Sequence, residues 1–86
     1  MRLVFDPDGW DDYQWWQVND RRMLQRINLL IDDALRDPGS GRGQPERLKH
    51  RAGDVWSRRI SQEHRLVYRV VGRDLVILQV RFHYDD

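Results

Sequence analysis

Residues 56–68, WSRRISQEHRLVY, constrain the fold of this chain more than any other stretch. Aromatic and branched residues flank a short polar break at Ser61, Gln62 and Glu63, the pattern of two strands joined by a turn. A three-residue turn there sets Ile60 opposite His64 and Arg59 opposite Arg65. Two arginines facing each other across a strand pair repel. An anion between them relieves that repulsion, and phosphate matches the guanidinium fork best. Two solvated arginines on an open sheet face are the plainer reading, and the hairpin alone favours it.

The hairpin continues into a meander through Val70, Val71, a break at 72–74 and an apolar run at 75–82. Leu66, Tyr68 and Val70 form one face of their strand. Val76, Leu78, Val80 and Phe82 form one face of the next. A three-residue turn at 72–74, pairing Val71 with Leu75, brings the two sets to the same side, whereas a two-residue turn would oppose them. The expectation is therefore the three-residue turn, with Trp56 and Ile60 on the same dry side. The other side then collects Ser57, Arg59, Arg65, Arg69, Gln79, Arg81 and His83.

Helices must cover the dry side. Met23, Leu24, Ile27, Leu30, Ile31 and Ala34 recur at helical spacing, with Arg21, Arg22, Arg26, Asp32 and Asp33 mainly outside. Before them, Asp6 as N-cap and Pro7 at the first helical position start another helix, whose buried stripe is Trp10, Tyr13 and Trp16. Asn19-Asp20 breaks the first helix and caps the second. Residues 1–6 read as a short strand, and 47–51 as another followed by a turn at 52–54. The prediction is one α+β domain spanning 1–86: an N-terminal strand and a two-helix hairpin packed on a twisted antiparallel β-sheet. The glycine- and proline-rich run 38–46 is a connector. It lacks the Lys-Ser/Thr pair and following helix of a phosphate loop.

Absent cysteine, there is no disulfide framework and no thiolate chemistry. The three histidines, at 50, 64 and 83, do not have a metal-ligand spacing. No signal peptide or membrane-spanning run is present, so the cytoplasm is the expected location. The net charge of +1 hides an asymmetry. Residues 1–40 hold five Arg against eight Asp, and residues 41–86 ten Arg and Lys against six Asp and Glu. A polyanion would meet the second half.

That half has the parts of a metal-independent ribonuclease. An RNA 2′-hydroxyl must lose a proton to attack the adjacent phosphorus, the departing 5′-oxygen must gain one, and the phosphorane between needs cations. Glu46 is the sole acid in the basic run RGQPERLKHR. His83 shares the basic face, and Arg59, Arg65 and Lys49 can hold a phosphate. Tyr84 can stack on a base. Each has a plainer reading: Glu46 paired with Arg42 or Arg47, His83 solvated near the end, Lys49 and His50 in an ordinary polar strand, Tyr84 as packing. His64, beside the turn, reads as structural.

The runs GWDDY at 9–13, GRGQPERLKH at 41–50, WSRRISQEHRLVY at 56–68 and RFHY at 81–84 resemble the Txe/YoeB toxins of bacterial type II toxin–antitoxin systems, within the RelE superfamily. The resemblance covers essentially the whole chain. It implies a small ribonuclease-like α+β fold and an endoribonuclease that cleaves mRNA in the A site of the 70S ribosome, leaving 2′,3′-cyclic phosphate and 5′-hydroxyl ends. By motif, Glu46 is the general base and His83 the general acid. Arg65 and Arg59 stabilise the phosphorane, Lys49 assists, and Tyr84 and Arg81 contact the nucleotide. No cofactor or metal is implied. The implied partners are a YefM/Phd-type antitoxin, a second copy of the toxin, and operator DNA only through the antitoxin. Family members commonly end near the terminal Tyr, whereas this chain adds Asp85 and Asp86, two carboxylates beside the expected anion site. A binding module that grips RNA or the ribosome without cutting is the alternative.

Overall fold

A computed structural model describes residues 1–82. The elements run β1 (Arg2–Phe5), α1 (Pro7–Asn19), α2 (Arg21–Arg36), β2 (Glu46–Arg47), β3 (Asp54–Arg59), β4 (Arg65–Val71) and β5 (Asp74–Gln79). The five strands form one sheet, ordered β1-β5-β4-β3-β2. The two-helix hairpin covers one face, and the α+β class is as expected. The sheet, however, is mixed. β1 is its edge strand and lies parallel to β5, with Leu3 opposite Leu75 and Phe5 opposite Ile77. A fork from Arg2 to Asp74, at 2.8 and 3.1 Å, holds that register.

Asp20 does double duty at the helix junction. Its N–H ends α1 on the Trp16 carbonyl, and its carboxylate caps α2 through the Met23 N–H at 3.0 Å. Asp6 stands at the N-cap of α1 but makes no side-chain cap bond. α2 buries Ile27, Leu30, Ile31 and Ala34, as its period predicts, and Asp33 as well, which was expected outside. In α1, Gly9 passes so close to the sheet that a Cβ would lie 2.3 Å from the Ile77 carbonyl oxygen. Trp10, expected in the buried stripe, is instead 43% exposed and packs its ring against Phe5 and Tyr13. Trp16 is buried, and its indole N–H reaches the Val80 carbonyl at 2.7 Å.

The first hairpin has the expected register: Arg59 faces Arg65, and the Ile60 N–H bonds the His64 carbonyl. The second does not. Val71 faces Asp74 and Val70 faces Leu75, so the turn is the two residues Gly72 and Arg73, with Gly72 at φ 57°. A tight hairpin turn of this kind favours positive φ, which glycine supplies. The slip is compensated twice. Leu75 and Ile77, rather than Val76 and Leu78, face the helices. A bulge between the Val67–Gln79 and Tyr68–Ile77 pairs then resets the alternation, so that Val80 is buried in the main core. The strand expected at 47–51 is only β2, and residues 48–53 form the turn into β3.

Candidate nucleic-acid interface

The connector between α2 and β2 is folded around a single side chain. Arg58 is fully buried. Its Nε donates to the Tyr68 hydroxyl at 2.9 Å. Its Nη atoms donate to the carbonyls of Arg42 at 2.7 Å, Asp37 at 2.8 Å, Ser40 at 2.6 Å and Pro38 at 3.3 Å. The Tyr68 hydroxyl donates in turn to the Pro38 carbonyl. Burial pushes the phenol pKa up, so it stays a donor. Asp33 grips the same loop from α2, accepting from the Arg42 N–H at 2.9 Å and from the Arg42 and Arg36 guanidinium groups at 3.1 Å. The Arg42 N–H, then the arginine charges, hold its carboxyl below the ordinary range. Gly41, at φ 99°, passes so close that a Cβ would lie 2.9 Å from the Asp33 carboxylate. The Arg59 N–H then takes the Gly43 carbonyl at 2.7 Å, and the chain enters β2 at Glu46. The glycine-rich run is thus a braced connector, as its sequence suggests.

On the sheet face away from the helices, register brings the expected residues together. Glu46 pairs with Ser57, and Arg59, two residues on, pairs with Arg65. Side chains alternate along a strand, so Glu46, Ser57, Arg59, Arg65 and Arg69 share this face. Glu46 and Arg59 are diagonal neighbours, roughly 7–8 Å apart at Cα. Both arginines expected to compete for Glu46 are used elsewhere: Arg42 pairs with Asp33 at 3.1 Å, and Arg47 with Asp54 at 3.7 Å. Among the described residues Glu46 has no ion-pair partner. It is exposed and lines an open concavity of about 470 Å³ with Arg47, Lys49 and His50. Lys49 and His50 lie in the turn after β2 and not in a strand. Arg59 is exposed and likewise makes no ion pair among the described residues. Arg65 is half-buried, and one guanidinium nitrogen donates to the carbonyls of Ser61, Gln62 and His64 at 2.7–3.2 Å, which aims the group along the turn.

This face has a dry floor. Leu48, Val55 and Val67 are buried there, with Leu78 packed against them. A low-dielectric floor strengthens a charge interaction above it. The continuous apolar runs LVY and LVIL are the signal that these strands carry apolar residues on both faces.

Arg81 is not on this face. Its guanidinium lies 3.6 Å from the centroid of Trp15, on α1, and 4.5 Å from that of Phe82. β5 ends at Gln79, so the alternation that would have carried Arg81 to the basic side does not extend to it. Phe82, expected on the dry side, is 56% exposed. His83, Tyr84, Asp85 and Asp86 lie outside the described residues. His64 is structural: its Nδ1 accepts the Phe82 N–H at 2.8 Å, and its ring stands edge-on to Trp16 with centroids 4.9 Å apart. Arg26 supports the hairpin from α2, donating to the carbonyls of Ile60 at 2.6 Å and Arg59 at 3.0 Å. Nothing in the sequence marks that contact, because a helical period identifies a face and not a partner. Among the described residues no cluster of His, Asp or Glu is arranged to hold a metal ion, and no helix is long and apolar enough to cross a membrane.

Two helices on one face of a mixed five-stranded sheet, with Glu46, unpaired among the described residues, beside facing arginines on the other, define a small α+β protein with an open basic face. The model of the YoeB-like toxin of bacterial type II toxin–antitoxin systems matches residues 5–84. The chain belongs to that family. The toxin YoeB of Synechocystis sp. is 52% identical over 84 residues, covering 98% of each chain. In structure, the chain is similar to the YoeB/ParE toxin from Agrobacterium tumefaciens, with 50% identity, a TM-score of 0.90, and coverage of 98% of this chain and 100% of that one. It is similar to the YoeB of Staphylococcus aureus both as a dimer (38% identity, TM-score 0.88) and in a YoeB–YefM complex (36% identity, TM-score 0.86), each covering 98% of both chains.

Proposed function

We propose that this toxin arrests translation as a metal-independent endoribonuclease that cuts mRNA in the A site of the 70S ribosome. The observation that carries the reading is the shared face of Glu46, Arg59 and Arg65, on which Glu46 has no ion-pair partner among the described residues. Glu46 takes the proton of the 2′-hydroxyl as its oxygen bonds to phosphorus. The phosphorus–5′-oxygen bond breaks, and the leaving oxygen takes a proton from His83. Arg59 and Arg65, with Lys49, offset the charge that builds on the phosphorane, and Tyr84 seats the nucleotide. The products carry 2′,3′-cyclic phosphate and 5′-hydroxyl ends. Arg81, stacked on Trp15, has no part in this scheme.

The dimer and the YoeB–YefM complex of the Staphylococcus aureus relative support a YefM/Phd-type antitoxin and a second copy as partners of this chain. Operator DNA is reached through the antitoxin. The site of action is the cytoplasm, where message and ribosome meet. The test is end-group analysis of mRNA incubated with toxin and translating ribosomes in the presence and absence of a chelator selective for transition metals. Cyclic phosphate ends at an unchanged rate support the mechanism. Arrested translation with intact message would favour the binding-only alternative.

A further inference from the structure

The backbone leading out of β5 is held mainly by side chains, with one backbone bond to β4. At Val80, the carbonyl accepts from the Trp16 indole and the N–H donates to the Asp12 carboxylate at 3.0 Å. Gln79 donates to the carbonyls of Arg81 and Phe82, at 2.8 and 3.1 Å. At Phe82, the carbonyl accepts from the Arg65 N–H at 3.0 Å, and the N–H donates to His64 Nδ1 at 2.8 Å. Phe82 is also a non-glycine residue in the left-handed region, at φ 63°. Such a conformation is costly for a residue with a side chain and persists only where its surroundings impose it. His64 is part of what imposes it. Its ring is braced by Trp16 and Phe82, and the His64 backbone N–H donates to the Ser61 hydroxyl at 3.2 Å.

We infer that His64 is a positioning residue for the terminal general acid: by accepting the Phe82 N–H, it fixes the backbone from which His83 departs. This rests on the reading of His83 as the acid. A misplacement of about 1 Å in a reacting group can cost on the order of a hundredfold in rate, and Phe82 is the last point at which the fold sets the direction of the chain before His83. The acceptor must be Nδ1, so the neutral ring carries its proton on Nε2.

The test is a double-mutant cycle on programmed ribosomes, with kcat and KM measured for each variant and melting temperature as a control. His64→Phe keeps a ring against Trp16 but removes the acceptor. It is expected to lower kcat on the order of a hundredfold, with KM unchanged. His64→Asn, whose Oδ1 can stand where Nδ1 stands, is expected to recover most of that rate. On a His83→Gln background, His64→Phe is expected to have no further effect, because the group it positions is gone. The inference is overturned by losses that multiply in the double variant, or by an Asn variant as slow as His83→Gln. Wild-type cleavage by His83→Gln itself would overturn the assignment of the acid and, with it, this inference.

Discussion

Arg58 and Arg59 are adjacent and chemically identical, yet the fold assigns them opposite tasks, and removing each should have opposite consequences. Arg58→Met leaves three acceptors without a donor, the Tyr68 hydroxyl and the carbonyls of residues 40 and 42, whereas the carbonyls of 37 and 38 keep the Ser40 N–H and the Tyr68 hydroxyl. Each of the three costs about 2 kcal/mol if it stays dry. The variant regains the several kcal/mol spent desolvating a guanidinium, but water entering the loop must then replace a fork with fixed geometry. Three acceptors at about 2 kcal/mol each, less about 3 kcal/mol of regained desolvation, leave a net loss of about 3 kcal/mol, which for a domain of this size lowers the melting temperature by roughly 12–24 °C. Arg59→Met removes an exposed group with no ion pair among the described residues and should stay within about 0.5 kcal/mol of wild type. RNA affinity should respond in the reverse order among molecules that remain folded. The assay is thermal or urea unfolding of both variants, followed by RNA binding in a salt series. An Arg58→Met protein that melts within a few degrees of wild type, or an Arg59→Met protein that loses more stability, would refute the loop-bracing argument.

Gly9→Ala places a methyl group 2.3 Å from the Ile77 carbonyl oxygen, and backbone cannot yield there as a flexible side chain could. It should abolish cooperative unfolding, as read by denaturant titration, whereas Gly72→Ala, with nothing within 4 Å of its Cβ, should cost only the strain of its positive φ. Asp33, whose carboxyl is held below its ordinary value of 3.8, stabilises the fold above that value and loses the contribution as pH falls through its folded pKa. Asp33→Asn should therefore be less stable than wild type at neutral pH, with the gap closing below about pH 4 in parallel pH-melting curves. Arg65→Gln and Arg59→Gln should each flatten the salt dependence of RNA affinity by about 0.7 in log–log slope, the value for one lost contact to a single strand.

Much of this fold is legible in the residues. The period of α2, the Asp20 junction and the three-residue turn at 61–63 follow from local chemistry, and that turn brings Arg59 opposite Arg65. Glu46 stands out as the lone acid in a basic run, and the two arginines near it in sequence pair instead with Asp33 and Asp54. Other features depend on partners distant in sequence. Alternation alone places Arg58 away from Arg59, but only the folded connector supplies the carbonyls that let a guanidinium be buried. The two-residue turn at Gly72 reverses the faces that alternation predicts, and the bulge that reconciles it, between Val67 and Tyr68, has no sequence mark. Arg81 leaves the basic face for a different reason: β5 ends at Gln79, and a strand period does not carry past the end of its strand. β1 joins the sheet parallel to a strand some seventy residues away, a pairing for which no turn signal can exist.

The central claim is that the face carrying Glu46 cuts RNA rather than merely holding it. Its most direct test is cleavage of a defined mRNA on programmed ribosomes, mapped by primer extension, comparing wild type with Glu46→Gln and using free RNA as a parallel substrate. A cut within the A-site codon that disappears in Glu46→Gln, while the variant stays folded, is the predicted result. Cleavage at the wild-type rate by Glu46→Gln, or stalled translation over an uncut message, would contradict it.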